Sequence, residues 1–257
     1  MGSQILSKIR RMNWVLSETT TGSLSYKDLS QILCELINVN VLIFDISGHV
    51  LGSAYSNIED KSTIGDSGSV EQIVESDNVQ FLGITECTAN LHGEEMKKLL
   101  GESYAMADKF HTIVPIVCGG ERLGTLLLTR REARFDDEDL ALGEYGATVV
   151  GLEIQRQIAL QNARETQLRL SVDMAIGTLS YSEKDAVSKI VSGLEGVEGL
   201  VVASKIAAQY GLTNSVIVNA LRKLESAGIL EAKSLGMKGT RIKILNPYLK
   251  EAVAGLS

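Results

Sequence analysis

A chain of 257 residues with 44% apolar composition can bury a sizeable core and is long enough for two domains. Its formal charge of −7 excludes a uniformly basic nucleic-acid binder, and its three cysteines and three histidines, scattered and without a C-x-x-C pair, suggest neither a disulfide framework nor a zinc centre. No apolar run approaches the roughly 20 residues of a membrane helix and no cleavable leader opens the chain, so a cytoplasmic protein with no membrane partner is expected.

The charge is unevenly placed. Residues 1–155 hold 12 basic and 23 acidic side chains, whereas residues 156–257 hold 13 basic and 9 acidic. That asymmetry fits an acidic sensing or assembly domain joined to a basic DNA-binding one; two solvated surfaces of unlike sign is the plainer alternative.

In chain order, Ile5, Ile9, Met12 and Leu16 recur at helical spacing, and Ser25 opens a second helix with Leu29, Ile32, Leu33, Leu36 and Ile37 as its apolar stripe. Asn38 and Asn40 end it. Val41 to Ile46 and Val50 to Ala54 flank Ser47-Gly48 as a β-hairpin. Asp45 to Gly48 fits the D-x-x-G pattern of GTPases, but no phosphate-cradling G-x-x-x-x-G-K-[ST] loop accompanies it, and a turn is the simpler reading. Residues 55–110 are polar, acidic and glycine-containing, with short helices expected near Val70 to Glu75 and Glu94 to Leu100. Such a stretch over a sheet either closes a ligand pocket or simply packs on it. Thr112 to Val117 and Arg122 to Thr129 pair across Cys118-Gly119-Gly120-Glu121 as the central hairpin of the sheet.

Phe135-Asp136-Asp137-Glu138-Asp139 places acids at the start of a helix, where they complement its dipole. The helical pattern then runs to about Leu179, with Gly143, Gly146 and Gly151 expected to weaken or kink it. The part after Gly151 reads as a connecting helix between two domains or, through Ile154, Ile158 and Leu168, as a dimerisation surface. Tyr181 to Lys184 and Val187 to Leu194 begin the next domain.

Ala203 to Gly228, ASKIAAQYGLTNSVIVNALRKLESAG, has the spacing of a helix-turn-helix. Ala207 is small where two helices touch, Gly211 can adopt the left-handed conformation that ends the first, and Ile217 is a core residue of the second. Thr213 caps that second helix, leaving Asn214, Ser215 and Asn219 to face a DNA major groove. A helical hairpin in an ordinary core would share the alanine and glycine, but Ile229 to Lys233 and Arg241 to Leu245 follow as two strands around a glycine-containing turn, a wing. From Ala203 onward eight Lys or Arg oppose three Glu, a density suited to a phosphate backbone. Arg222, Lys223, Lys238 and Arg241 are the expected backbone-neutralising cations, and Ala203, Ser204 and Lys205 at the entry to the first helix are further expected DNA contacts.

With these residues in view, the chain resembles the CodY family of bacterial global transcriptional regulators. MAIGTLSYSE, GLVVASKIA, SVIVNALRKLESAGILE and SLGMKGT carry the resemblance from Ala175 onward, and HTIVPIVCGGERLGTLLL and FDDEDLALGEYGATVVGLEI are also similar. The resemblance implies an α+β chain: a GAF-like antiparallel-sheet sensor over residues 1–152, a linker helix over 153–179 and a winged helix-turn-helix over 180–257. It further implies a non-enzymatic, homodimeric repressor that binds double-stranded DNA when isoleucine, leucine or valine is plentiful and, in many members, when GTP is.

Three departures bear on this. Thr213-Asn214-Ser215 stands where the family commonly has Thr-Arg-Ser, removing one cationic contact to DNA. The first hairpin turn is Asp45-Ile46-Ser47-Gly48-His49 where GTP-responsive members carry Ser-Arg-Arg-Gly-Lys, which argues against GTP. The family's branched-chain amino-acid motifs, Arg-Met, Phe-Pro-x-x-Tyr and Phe-Pro-Val, have no counterpart in residues 55–115, the region where an effector pocket is expected. The alternative function is a non-enzymatic assembly or signalling protein that uses the first domain and the long helix for protein contacts.

Overall fold

The computed structural model describes residues 2–18, 25–57, 60, 82–102, 104 and 106–255; the helix expected near Val70 to Glu75 lies outside these residues. The chain divides into two compact units, Met1–Ile158 and Ala159–Ser257.

The first unit is built on a five-stranded antiparallel sheet of β1 (Asn40–Asp45), β2 (Val50–Ala54), β3 (Thr88–Leu91), β4 (Phe110–Cys118) and β5 (Glu121–Arg130), in the order β2-β1-β5-β4-β3. Both faces are buried, which explains why its central strands read as near-continuous apolar runs. Val41 and Ile43 point to one face and Leu42 and Phe44 to the other, following the two-residue period of a strand. The first face packs against α1 (Gly2–Glu18), through Met12, and α2 (Tyr26–Ile37), through Leu29, Leu33 and Ile37. On the second face Leu42, Phe44, Ile113 and Leu127 meet Met96 and Leu100 of α3 (Glu94–Leu100), with Tyr104 and Met106.

Local chemistry sets the ends of these elements. The Ser25 side chain accepts from the Asp28 N–H while the Asp28 carboxylate accepts from the Ser25 N–H, a capping box that starts α2. Asn38, at φ 58°, ends the helix with its N–H on the Cys34 carbonyl. In the β1–β2 turn the Asp45 carboxylate accepts from the Ser47 and His49 N–H groups at 2.8 and 2.9 Å, so the D-x-x-G pattern is a turn. β3 was not legible as a strand.

The long helix α4 spans Asp137–Gly177, 41 residues. Asp136 and Asp139 cap its start reciprocally, each carboxylate accepting from the other's N–H. Gly143, Gly146 and Gly151 do not break it. They bring it close to its neighbours: a Cβ on Gly143 would lie 2.9 Å from Leu128 Cδ1, one on Gly146 2.5 Å from Leu33 Cδ2, and one on Gly151 3.3 Å from Ile116 Cγ2. The expected weak points are contact points.

The second unit contains α5 (Tyr181–Ser192), β6 (Glu198–Val201), α6 (Ala203–Tyr210), α7 (Asn214–Ser226), β7 (Leu230–Ser234), β8 (Thr240–Ile244) and α8 (Leu249–Ala254). Its sheet has the order β6-β8-β7, so the wing carries a third strand that the sequence did not announce. Val172, Ala175, Ile176 and Leu179, within the expected linker, belong to this unit's core together with Val187, Ile190, Ile217, Leu224 and Ile242. Among the described residues no helix is long and apolar enough to cross a membrane.

If Gly146 only weakened the helix, Gly146→Ala would stabilise the protein by about 1 kcal/mol. Because Leu33 is almost wholly buried and would have to move, the substitution should instead destabilise by about 1–3 kcal/mol, as measured by urea unfolding.

Candidate functional site

The turn between α6 and α7 is fixed by two residues. Gly211 takes φ 66°, with its N–H on the Ala207 carbonyl, which a side chain would strain. Thr213 caps α7, its hydroxyl accepting from the Val216 N–H and lying 3.0 Å from the Ser215 hydroxyl. Ile217, Ala220, Leu221 and Leu224 are buried in the core of the second unit. With that face committed, the helical period turns Ser215, Val218, Asn219 and Arg222 outward at positions i, i+3, i+4 and i+7, all exposed. Asn214, at the first turn, is exposed as well.

The remaining expected contacts sit around this stripe. Ser204 and Lys205 are exposed and Ala203 half-buried at the start of α6, where no side-chain cap closes the helix and the backbone N–H groups form an anion-attracting end. Lys238 is exposed in the short 3₁₀ turn Gly236–Lys238 between β7 and β8. Among the described residues Lys205, Arg222 and Lys238 take part in no ion pair.

Lys223 and Arg241 are placed differently. The Lys223 ammonium donates to Glu183 Oε2 at 2.7 Å and to the Thr178 carbonyl at 3.1 Å. Glu183 is itself the carboxylate of the capping box that starts α5, so Lys223 fastens the outward helix to α5. Arg241, on β8, pairs with Glu198 on β6 and ties the added strand to the wing. Each of these cations already has a carboxylate. Both acids are some forty residues distant in sequence, and nothing in the local pattern points to them. Val218, 45% exposed, is the other residue of the stripe that the sequence reading passed over, although its spacing from Ser215 places it there.

In the first unit, the described part of the region expected to hold an effector contributes to a polar cavity of about 650 Å³ whose walls include Asn40, Ser56, Asp60 and Lys109. Lys109, 2% exposed, forms an ion pair with Asp60. Asn40 donates to Asp60 Oδ2 at 2.6 Å and accepts from the Ser56 N–H at 3.0 Å. Burial alone would raise the Asp60 carboxyl, but the hydrogen bonds from Lys109 and Asn40 outweigh it and hold its pKa below the ordinary value. Next to Lys109 the buried His111 ring lies 2.9 Å from the Lys109 carbonyl and 3.0 Å from the Tyr104 hydroxyl, and burial lowers its pKa to about 4. His111 is therefore neutral at pH 7.

A model of the CodY GAF-like domain matches residues 4–178, and a model of the CodY helix-turn-helix domain matches residues 197–253. The chain belongs to the CodY family. The global transcriptional regulator CodY of Caldanaerobacter subterraneus subsp. tengcongensis is 48% identical over 249 residues, covering 96% of each chain. That of Clostridium acetobutylicum is 45% identical over 253 residues, covering 98% of each. The solved cofactor-binding GAF domain of the nutrient sensor CodY from Clostridium difficile is 36% identical, with a TM-score of 0.45, and covers 60% of this chain and 99% of that one. CodY relatives are named as transcriptional regulators, a class without enzymatic activity, and the second unit here carries the family's helix-turn-helix.

The hydrogen bond from Lys223, and then that from the Ser180 N–H, hold the Glu183 carboxyl below its ordinary pKa of 4.5. The pair's contribution is therefore complete above pH 4.5 and is lost as pH falls through the lower folded value. Lys223→Met should cost about 1–2 kcal/mol of stability at pH 7. The difference from the parent protein should shrink as pH falls below 4.5 but should not vanish, because the bond from Lys223 to the Thr178 carbonyl does not depend on the Glu183 proton, as read from urea unfolding at pH 7 and at acid pH.

Proposed function

We propose that this protein is a repressor that reads operator DNA with the outward face of α7 and whose DNA affinity is set by a small aliphatic amino acid bound in its first unit. The observation that carries the DNA reading is the stripe Ser215, Asn219 and Arg222, turned away from the core and flanked by Lys205 and Lys238, which have no ion pair among the described residues. Asn and Arg present the bidentate donors and acceptors that adenine and guanine edges match in the major groove, and Ser215 and Asn214 sit where the helix enters it. Lys205, Ser204 and Ala203 at the N-terminus of α6, with Lys238 on the wing, lie where a phosphate backbone would pass. Lys223 and Arg241 serve the same surface by fixing α7 and the wing through Glu183 and Glu198.

The effector is isoleucine, leucine or valine rather than GTP. The first hairpin turn supports this: the Asp45 carboxylate takes the Ser47 and His49 N–H groups that a phosphate would need, and it adds a negative charge where phosphate oxygens would sit. The family's GAF-like domain over residues 4–178, and the cofactor-binding domain of the relative from Clostridium difficile, support a ligand site in this unit. The functional form is a homodimer, which would present two copies of α7 to a two-fold operator.

Fluorescence anisotropy against duplex DNA at several salt concentrations tests this reading. Lys238→Ala should weaken binding to operator and unrelated duplexes alike and reduce the slope of log K against log salt by about 1. Ser215→Ala and Asn219→Ala should change sequence preference, and isoleucine, but not GTP, should tighten operator binding by the parent protein. Unchanged isotherms for all three variants would overturn the DNA reading, and an isoleucine-independent affinity would overturn the effector reading.

A further inference from the structure

Val218 is an apolar residue on a polar face. Among the valines of the same unit, those at 172, 187, 191, 201 and 253 are buried, Val197 is exposed outside any helix, and Val218, 45% exposed, lies on a helix and takes no part in the core. It lies between Ser215, three residues before it, and Arg222, four after it, with Asn219 beside it. Nothing in the packing of α7 requires it, because Ile217, Ala220, Leu221 and Leu224 supply the buried face. A β-branched residue is also a weaker helix former than the alanine that would serve an unused exposed position.

Its chemistry suits one feature of the surface that Ser215, Asn219 and Arg222 are built to read. A β-branched side chain in a helix is held close to a single χ1 rotamer, so its two methyl groups form a rigid knob of fixed direction. The major groove offers hydrogen-bonding edges and one apolar group, the C5 methyl of thymine. Asn219 and Arg222 can satisfy the former but gain nothing from the latter.

We propose that Val218 is a specificity-determining residue that packs against a thymine methyl group while its polar neighbours engage adjacent base edges. The assignment rests on the DNA-binding reading above and adds to it the identity of one base. Burial of a single methyl group against Val218 corresponds to an affinity difference of about fourfold.

The test uses a duplex enriched from a random pool by the full-length protein, in which each thymine is replaced in turn by uracil. This deletes the methyl group and leaves base pairing intact. The parent protein should lose about fourfold in affinity at one position per half-site, and Val218→Ala should bind the thymine and uracil duplexes equally at that position. Val218→Ile, which keeps the apolar knob, should retain a preference for thymine. Unrelated duplex should be bound equally by all three proteins, and because residue 218 is exposed and alanine is the better helix former, Val218→Ala should unfold no earlier than the parent protein.

A thymine preference at every position that survives in Val218→Ala would overturn the assignment, as would a parent protein indifferent to every uracil. An equal loss by Val218→Ala on operator and unrelated duplex would also overturn it, because that is the signature of a disturbed helix or dimer. Absence of binding to any duplex at low salt would instead overturn the DNA reading on which the assignment stands.

Discussion

The second unit depends on the burial of one face of α7. Ile217, Ala220, Leu221 and Leu224 are held against the unit's other helices and its sheet, and the 3.6-residue period then leaves Ser215, Val218, Asn219 and Arg222 no place but the outside. The other features around this helix guard its start and its orientation. Gly211 permits the sharp turn before it, Thr213 satisfies its first N–H groups, and Lys223 joins it to the capping carboxylate of α5. The outward polar stripe is thus a consequence of apolar packing on the opposite side. The proposed DNA-reading face is the one that folding does not use.

The first unit solves a different problem, since its sheet is covered on both faces. Helices α1, α2 and α4 cover one face, and close contact there relies on glycines in α4. On the other face, α3 and the residues after it cover an apolar centre beside the buried polar residues Asn40, Lys109 and His111 and the partly buried Asp60. Buried ionic and polar groups of this kind are tolerable only when each is partnered, and here Lys109 with Asp60, Asn40 with Ser56 and His111 with Tyr104 meet that condition.

Much of this was legible from residue order. Ser25 with Asp28, Asn38, and Thr213 before an apolar-periodic run mark helix ends by local chemistry, and the β1–β2 and β4–β5 hairpins announce themselves by apolar strands around glycine-containing turns. The strands at Thr88–Leu91 and Glu198–Val201 do not, because four residues that include Asn90 or Gly199 have little propensity of their own and form strands only by pairing with β4 and β8. Gly143, Gly146 and Gly151 were misjudged because intrinsic propensity penalises a helical glycine, whereas tertiary contact at Leu128, Leu33 and Ile116 requires one. For the candidate interface, position on α7 was readable but pairing was not. Lys223 and Glu183, like Arg241 and Glu198, meet only through the fold. The cavity beside Lys109 was invisible for the same reason, and the family's amino-acid motifs, absent from residues 55–115, gave no guide to it.

The central claim is that the outward face of α7 enters the major groove, and affinity cleavage addresses it most directly. A hydroxyl-radical-generating iron chelate would be attached at Asn219→Cys, with the background of the native cysteines taken from the unsubstituted protein treated in the same way. The account predicts strand scission confined to a few base pairs in each half-site and offset between strands in the major-groove sense. Scission from position 219 that is absent, or no more localised than that of the unsubstituted protein, would contradict it.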